Sequence, residues 1–505
     1  MRGLEPTYMM DLVEGKFAGT SRQQLADIFS DFRNDAAKNA LLIHFHGGLV
    51  DQASGIQNAI DLNQQYASTQ TGCLFPIWET GLWEVLERNW LDIAGDTVFQ
   101  IILDRVLSAV WAKTREAGGN RGMTLDYLPG TFLVSDLLDS AQGIGDIALP
   151  LADIDFQGLE PLTPLQEQQL QVAFTQDTRL TGAIQAAINA HVASTDDATR
   201  AVFSDMRVQP KKSAMDPMVL DNLAASAASM RGIPLEIALR VLGIVKLVIF
   251  RFLEKKDHGL HATAVEEILR AFYLATVGAG VWTQIKSYAH EAFQGDAQQY
   301  GGSALLEEIG QLPSDKKVLL VGHSAGSIFI SELLSAAVKR NIKSAFGVIF
   351  LAPAARFDLF ADALNSAGDL VGDFRMYTMT DQNECSDILV RLNNKGGGLG
   401  WFYPRSLLYL ISGVLEPDVD SPIVGMQRFY NPHVWNGNNV DVNTLRSYVT
   451  APGTDRVCWS VCSGPNKKLC ANARSHGDFG HAIMLNGIRN STVDAIREIL
   501  SSGAF

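Results

Sequence analysis

The chain has 505 residues, 47% of them apolar and 19% charged, a balance that excludes a disordered or low-complexity protein and guarantees a sizeable buried core. Its 41 basic residues against 55 acidic ones leave a net charge of −14. Without a basic run, the phosphate backbone of a nucleic acid is repelled rather than gathered, so no nucleic-acid partner is expected.

Residues 1–18 carry Glu5, Asp11 and Glu14 and have no continuous apolar run after a basic start, which does not read as a secretory signal. The five cysteines, Cys73, Cys385, Cys458, Cys462 and Cys470, are an odd number for so long a chain and favour a reducing, cytoplasmic setting over a disulfide scaffold. The last three lie near His476, but their spacing matches no common zinc pattern, and no metal site is expected.

Residues 40–45 (ALLIHF) form a short apolar run without polar alternation, followed at once by His46-Gly47-Gly48. That pattern predicts a buried parallel strand ending in a tight loop. A helix is predicted over 55–66 and a second strand over 73–78 (CLFPIW), despite Pro76. These make a βαβ unit with a right-handed crossover.

Strand signals then stop until about residue 310, and helical periodicity takes over. Within this insertion, 233–253 is strongly apolar, with Glu236, Arg240, Arg251 and Glu254 expected on one exposed stripe. Residues 271–285 are uncharged but shorter than the roughly 20 residues a spanning helix needs. Both stretches are read as cap helices rather than membrane spans. Their apolar faces suit packing on the core or contact with a lipid surface.

Strands return at 318–321, 347–351 and 374–379, with helices at 327–339 and 357–364 between them, the alternation of a doubly wound α/β sheet. Residues 393–443 are rich in Gly and Asn and read as loops around a short helix at 406–415. A last strand at 457–461 and a helix at 491–500, with Ser491 as its N-cap and Asp494 in its first turn, close the chain.

The strongest chemical signal is Gly322-His323-Ser324-Ala325-Gly326. It satisfies G-x-S-x-G directly after one predicted strand and directly before a predicted helix, which lifts the serine above the sheet edge on a strained turn. A serine hydroxyl attacks only when a base removes its proton and donors stabilise the resulting oxyanion. The His46-Gly47-Gly48-Leu49 loop supplies candidate donors, because glycines there let backbone N–H groups face the site. Ala325 follows the serine and supplies another.

These pieces resemble the α/β-hydrolase superfamily, in particular its lipase and esterase members, in which an HGG-type oxyanion loop accompanies a GHSAG-like elbow. The resemblance covers residues 40–78, 317–387 and 457–505. It implies an α/β-hydrolase fold, a mostly parallel doubly wound sheet, with a large, mainly helical cap insertion. The core would comprise 1–78 and 311–505, with an irregular insertion at 388–450, and the cap 79–310. The family order of serine, acid, histidine implies a Ser324, Asp381, His476 triad. Asp381 is the first carboxylate past the 374–379 strand, with Glu384 and Asp387 as alternatives, and His481 competes with His476. The oxyanion donors would be Gly47, Gly48 and Ala325, and the pocket candidates His46, Leu49, His323 and Trp78. Together with His44, His46 is expected to brace the loop rather than act as base. The implied reaction is cleavage of a carboxylic ester, on a small-molecule ester or a lipid, with no metal or organic cofactor. The rival expectation is a membrane-acting phospholipase-type effector, or a partner-gated, non-catalytic scaffold.

Overall fold

Eight strands in one sheet organise the protein. The computed structural model describes residues 7–48, 52–78, 89–117, 158–195, 213–226, 232–387, 389, 402–435, 437–484, 486–503 and 505. In chain order the strands are β1 (Met9–Val13), β2 (Lys16–Phe17), β3 (Ala40–Phe45), β4 (Thr71–Trp78), β5 (Lys317–His323), β6 (Phe346–Leu351), β7 (Val371–Met379) and β8 (Val457–Ser460). Their order across the sheet is β2-β1-β4-β3-β5-β6-β7-β8. All pairs are parallel except the edge hairpin β1–β2. That hairpin is not legible as strand in the sequence. Every residue of β3 and β6 is buried, as expected of strands covered on both faces.

The helices used below are α1 (Arg22–Asn34), α2 (Gln52–Tyr66), α3 (Thr97–Ala117), α4 (Pro164–Gln176), α5 (Thr178–Thr195), α6 (Pro217–Ser226), α7 (Gly232–Leu253), α8 (Leu260–Phe272), α9 (Ala279–Glu291), α10 (Gly301–Gly310), α11 (Gly326–Lys339), α12 (Phe357–Ala367), α13 (Val440–Val449) and α14 (Ser491–Ser502). Helices α2 and α14 cover one face of the sheet through Ala59, Leu62, Tyr66, Ile496 and Ile499. The other face carries α1, α10, α11 and α12, and its core runs without a break into α3 to α9. Helix α14 is capped by Asn490, whose side chain accepts from the Thr492 N–H; the expected cap Ser491 is instead the first helical residue.

Three sequence expectations are revised by packing. The sequence places residues 279–310 in the cap, but α10 packs on α1 and α9 packs on α11, so both belong to the layer over the sheet. The 388–450 stretch, read as loops around a short helix at 406–415, has that helix at Leu407–Leu410 and Ile411–Leu415, but its described part is built into the core: Tyr403, Leu408, Ile411 and Phe429 are buried, and α13 packs on α12. Arg251 does not share an exposed stripe with Glu236 and Arg240. It is 1% exposed and paired with Glu266 at 2.7 Å and Glu267 at 3.0 Å, because a guanidinium taken out of water requires carboxylate partners.

The same cluster fastens the two insertions together. His258 lies between Glu266 at 2.8 Å and Asp420 at 3.2 Å, and Tyr403 donates to Glu266 at 2.6 Å. Among the described residues, no helix is long and apolar enough to cross a membrane.

Candidate active site

The elbow between β5 and α11 is built by close backbone approach. A Cβ on Gly322 would stand 2.8 Å from the Gly326 carbonyl carbon, and one on Gly326 only 2.4 Å from the Phe45 carbonyl oxygen. Both distances are shorter than real Cβ contacts allow, so the G-x-S-x-G glycines are dictated by strand and helix meeting here. Between them Ser324 has φ +51°, a left-handed conformation that costs a non-glycine residue about 1–2 kcal/mol. The turn is tied down by the Ser324 carbonyl, which accepts from the Ser327 hydroxyl at 2.6 Å and from the Ala354 N–H at 3.1 Å.

Nε2 of His476 lies 2.9 Å from Oγ of Ser324. The competitor His481 is engaged elsewhere, its Nδ1–H donating to Asn58 Oδ1 at 2.7 Å. The loop carrying His476 is held by Asp478, whose carboxylate accepts from the Ser475 N–H at 3.2 Å. It is also held by buried Asn490, which donates to the carbonyls of Asp478 and His481, both at 2.9 Å. Burial and neighbouring His323 hold the His476 pKa well below the usual histidine range, so the ring is neutral near pH 7 and able to accept a proton.

The expected pairing of Asp381 with His476 is not formed. Asp381 begins a one-turn helix, Asp381–Glu384, which turns its carboxylate to the Tyr409 hydroxyl at 2.7 Å. Glu384 is fully buried and accepts from the Ser406 hydroxyl; burial pushes its carboxyl well above the carboxylate range, leaving it uncharged. The carboxylate that meets His476 is Asp387, whose Oδ2 accepts the His476 backbone N–H at 2.8 Å. His476 Nδ1 has no hydrogen-bond partner in this arrangement.

Opposite the histidine, the loop after β3 approaches the serine closely. A Cβ on Gly47 would lie 2.9 Å from Nδ1 of His323 and 3.0 Å from Cβ of Ser324. Gly48 faces Ala325, with 3.4 Å between a built Cβ and the Ala325 methyl. Ala325 stands at the start of α11, where the first N–H groups of a helix lack intrahelical acceptors. His46 braces this loop: its Nδ1 donates to the Gly47 carbonyl at 2.9 Å, and its Nε2 accepts the Trp78 N–H at 3.1 Å. Burial lowers its pKa to about 4, which fits the neutral ring that this tautomer requires.

Trp78 donates its indole N–H to the His46 carbonyl at 3.3 Å and is buried against Phe329, so it supports the loop from behind rather than lining the pocket. His323 does line it, donating from Nε2 to the His476 carbonyl at 3.1 Å, with its pKa lowered by burial to about 4. Leu49, the remaining pocket candidate, lies outside the described residues.

Ser324 and His476 are 2% and 3% exposed, and the space beside them is a cavity of about 60 Å³. Ile285 of α9 approaches to 3.5 Å of a Cβ built on Gly48. That helix is held in place by Glu416, which accepts from the Trp282 indole at 2.7 Å and the Lys286 ammonium at 2.8 Å. Sequence reasoning missed Asn58, Gly480 and this α9 contact. Only Gly480, in the GDFG run, left a local signal: a Cβ there would stand 2.8 Å from the His323 ring.

Comparison with protein-family models, with curated proteins and with solved structures returned no match to this chain.

Proposed function

We propose that the protein is a serine hydrolase with the α/β-hydrolase architecture, cleaving a carboxylic ester through an acyl-enzyme. The observation that carries this reading is the 2.9 Å contact between Ser324 Oγ and His476 Nε2, made at a left-handed serine facing a glycine loop. The loop after β3 and the turn after β5 are the places where that architecture holds its oxyanion donors and its nucleophile.

In the proposed cycle Ser324 Oγ attacks the acyl carbon as its proton passes to His476 Nε2. The carbonyl oxygen takes up the negative charge and is received by the N–H groups of Gly48 and Ala325, with Gly47 giving the loop room. The imidazolium returns the proton to the departing alkoxide, leaving the acyl group on Ser324. Water then repeats the sequence and releases the acid. The acid is assigned to Asp387 rather than Asp381, because Asp387 holds the His476 backbone N–H at 2.8 Å while Asp381 is taken up by the Tyr409 hydroxyl; its part is to fix the histidine loop and to offset the charge of the imidazolium.

Labelling with a fluorophosphonate tests the reading. Modification of the wild type that is lost in Ser324→Ala and in His476→Ala is expected; a folded wild type that resists the probe and hydrolyses no ester overturns it. Lipid-surface action has one observation behind it: Leu239, Leu247, Phe250 and Leu253 of α7 are solvent-exposed. Flotation with anionic liposomes that is abolished by Leu247→Ser/Phe250→Ser supports it, and no flotation of the wild type rejects it.

A further inference from the structure

His323 touches both loops on which the proposed chemistry depends. It is the last residue of β5, paired with Leu351 in the sheet. Ser324 follows it directly, so the imidazole is carried by the same rigid backbone as the nucleophile. The residue is 6% exposed. Its Nε2 lies 3.1 Å from the His476 carbonyl oxygen; a carbonyl only accepts, so this nitrogen carries the proton and donates it. The two rings lie side by side, with centroids 5.3 Å apart.

The Nδ1–Cε1 edge of the His323 ring meets two glycines. A Cβ on Gly47 would stand 2.9 Å from Nδ1 and 3.2 Å from Cε1, and one on Gly480 would stand 2.8 and 2.9 Å from the same atoms. Around Gly480, chain neighbours aside, the three nearest described atoms all belong to His323, the third at 3.6 Å. Gly480 does not have a positive φ, so its backbone is one that alanine can adopt, and what demands glycine there is the ring. Gly477–Gly480 forms a single helical turn that starts after His476. His323 therefore holds that turn at both ends, by a hydrogen bond to His476 and by contact with Gly480, and meets the loop after β3 at Gly47. Asp387 and Asn490 also tie down the His476 loop, but they lie outside the elbow; His323 joins the loop to the strand that carries the serine.

We infer that His323 is a positioning residue that gauges the His476 loop and the loop after β3 against Ser324, and so sets the 2.9 Å approach of His476 Nε2 to the serine. This role rests on the reading of Ser324 as nucleophile and adds to it what keeps the base in reach. A misplacement of about 1 Å in such an approach slows a reaction by about a hundredfold, and it acts on turnover rather than on substrate binding.

The test is kcat and KM on phenyl acetate, per serine titrated with a fluorophosphonate, for the wild type, Gly480→Ala, His323→Ala and the double variant, with His323→Gln and His323→Leu alongside. Counting titrated sites removes misfolded protein from the comparison. Gly480→Ala is expected to lower kcat by at least about tenfold, with KM within about threefold of wild type. In the His323→Ala background the same change should cost less than about twofold, because the added methyl enters space that the ring has left. His323→Gln, which retains an N–H donor, should exceed His323→Leu, which has none, by about fivefold. Wild-type kcat in Gly480→Ala, equal losses from it in both backgrounds, or His323→Gln no faster than His323→Leu overturns the positioning role while a labelled Ser324 stands as nucleophile. If His323→Ala does not fold, Gly480→Ala alone and the ratio of His323→Gln to His323→Leu decide. A folded wild type that neither labels nor hydrolyses the ester overturns the nucleophile reading, and the positioning role with it.

Discussion

Replacing Asp387 by Asn while leaving Asp381 intact separates the two candidate acids. His476 is neutral and buried, and both burial and His323 oppose its protonation, yet the proposed reaction requires it to hold a proton in the transition state. A carboxylate brought to about 5 Å from the protonated ring would stabilise that charge by about 3 kcal/mol at an effective dielectric of about 20. Removing the charge should therefore slow turnover by between about two and three powers of ten. The introduced amide can still accept the His476 N–H through its carbonyl oxygen, so the loop and the fold should survive. Asp381→Asn keeps an acceptor for the Tyr409 hydroxyl and should change turnover by less than about threefold. The assay is kcat on phenyl acetate for both variants, with circular dichroism to verify folding. A larger loss in Asp381→Asn than in Asp387→Asn would refute the assignment.

Gly47→Ala should lower kcat/KM by at least about a hundredfold, because its Cβ would press on His323 and Ser324 and displace the nucleophile by a fraction of an ångström. Gly477→Ala, whose added Cβ meets nothing within 4 Å, should leave kcat/KM near wild type; equal losses in the two would count against the steric account. Ser324→Gly should be more stable to denaturant than Ser324→Ala by about 1 kcal/mol, since glycine relieves the positive φ and alanine retains it; equal midpoints would show that the turn is unstrained. Folded-state stability should fall on acidification below pH 6.5. Burial holds His44, His46 and His323 at about 3, 4 and 4, below the unfolded value of about 6.5. Their stabilisation is therefore complete above pH 6.5 and is lost as pH falls toward those values, by about 2 kcal/mol for each ring at pH 5. Urea midpoints at pH 7.5 and pH 5.0 that coincide would contradict the burial of these rings as neutral groups.

Strand β3, the elbow and the loop after β3 are local: an apolar run without alternation, and glycines placed where two backbones nearly touch, name their own conformation. Ser324, His476, Gly47 and Gly48 could therefore be picked from the sequence and are brought together in space. The acid could not, because Asp381, Glu384 and Asp387 lie within seven positions and differ only in where a single helical turn points them. That turn is set by contacts to Tyr409 and Ser406, residues on the far side of an insertion. Arg251 likewise reads as a surface charge on its own helix, and only Glu266 and Glu267 on the next helix offset the cost of its burial. The assignment of α9 and α10 to the sheet layer and the small size of the cavity under His476 depend in the same way on packing between distant segments. Periodicity records which face of an element is apolar; what meets that face, and how much space is left between them, is decided only when the chain folds.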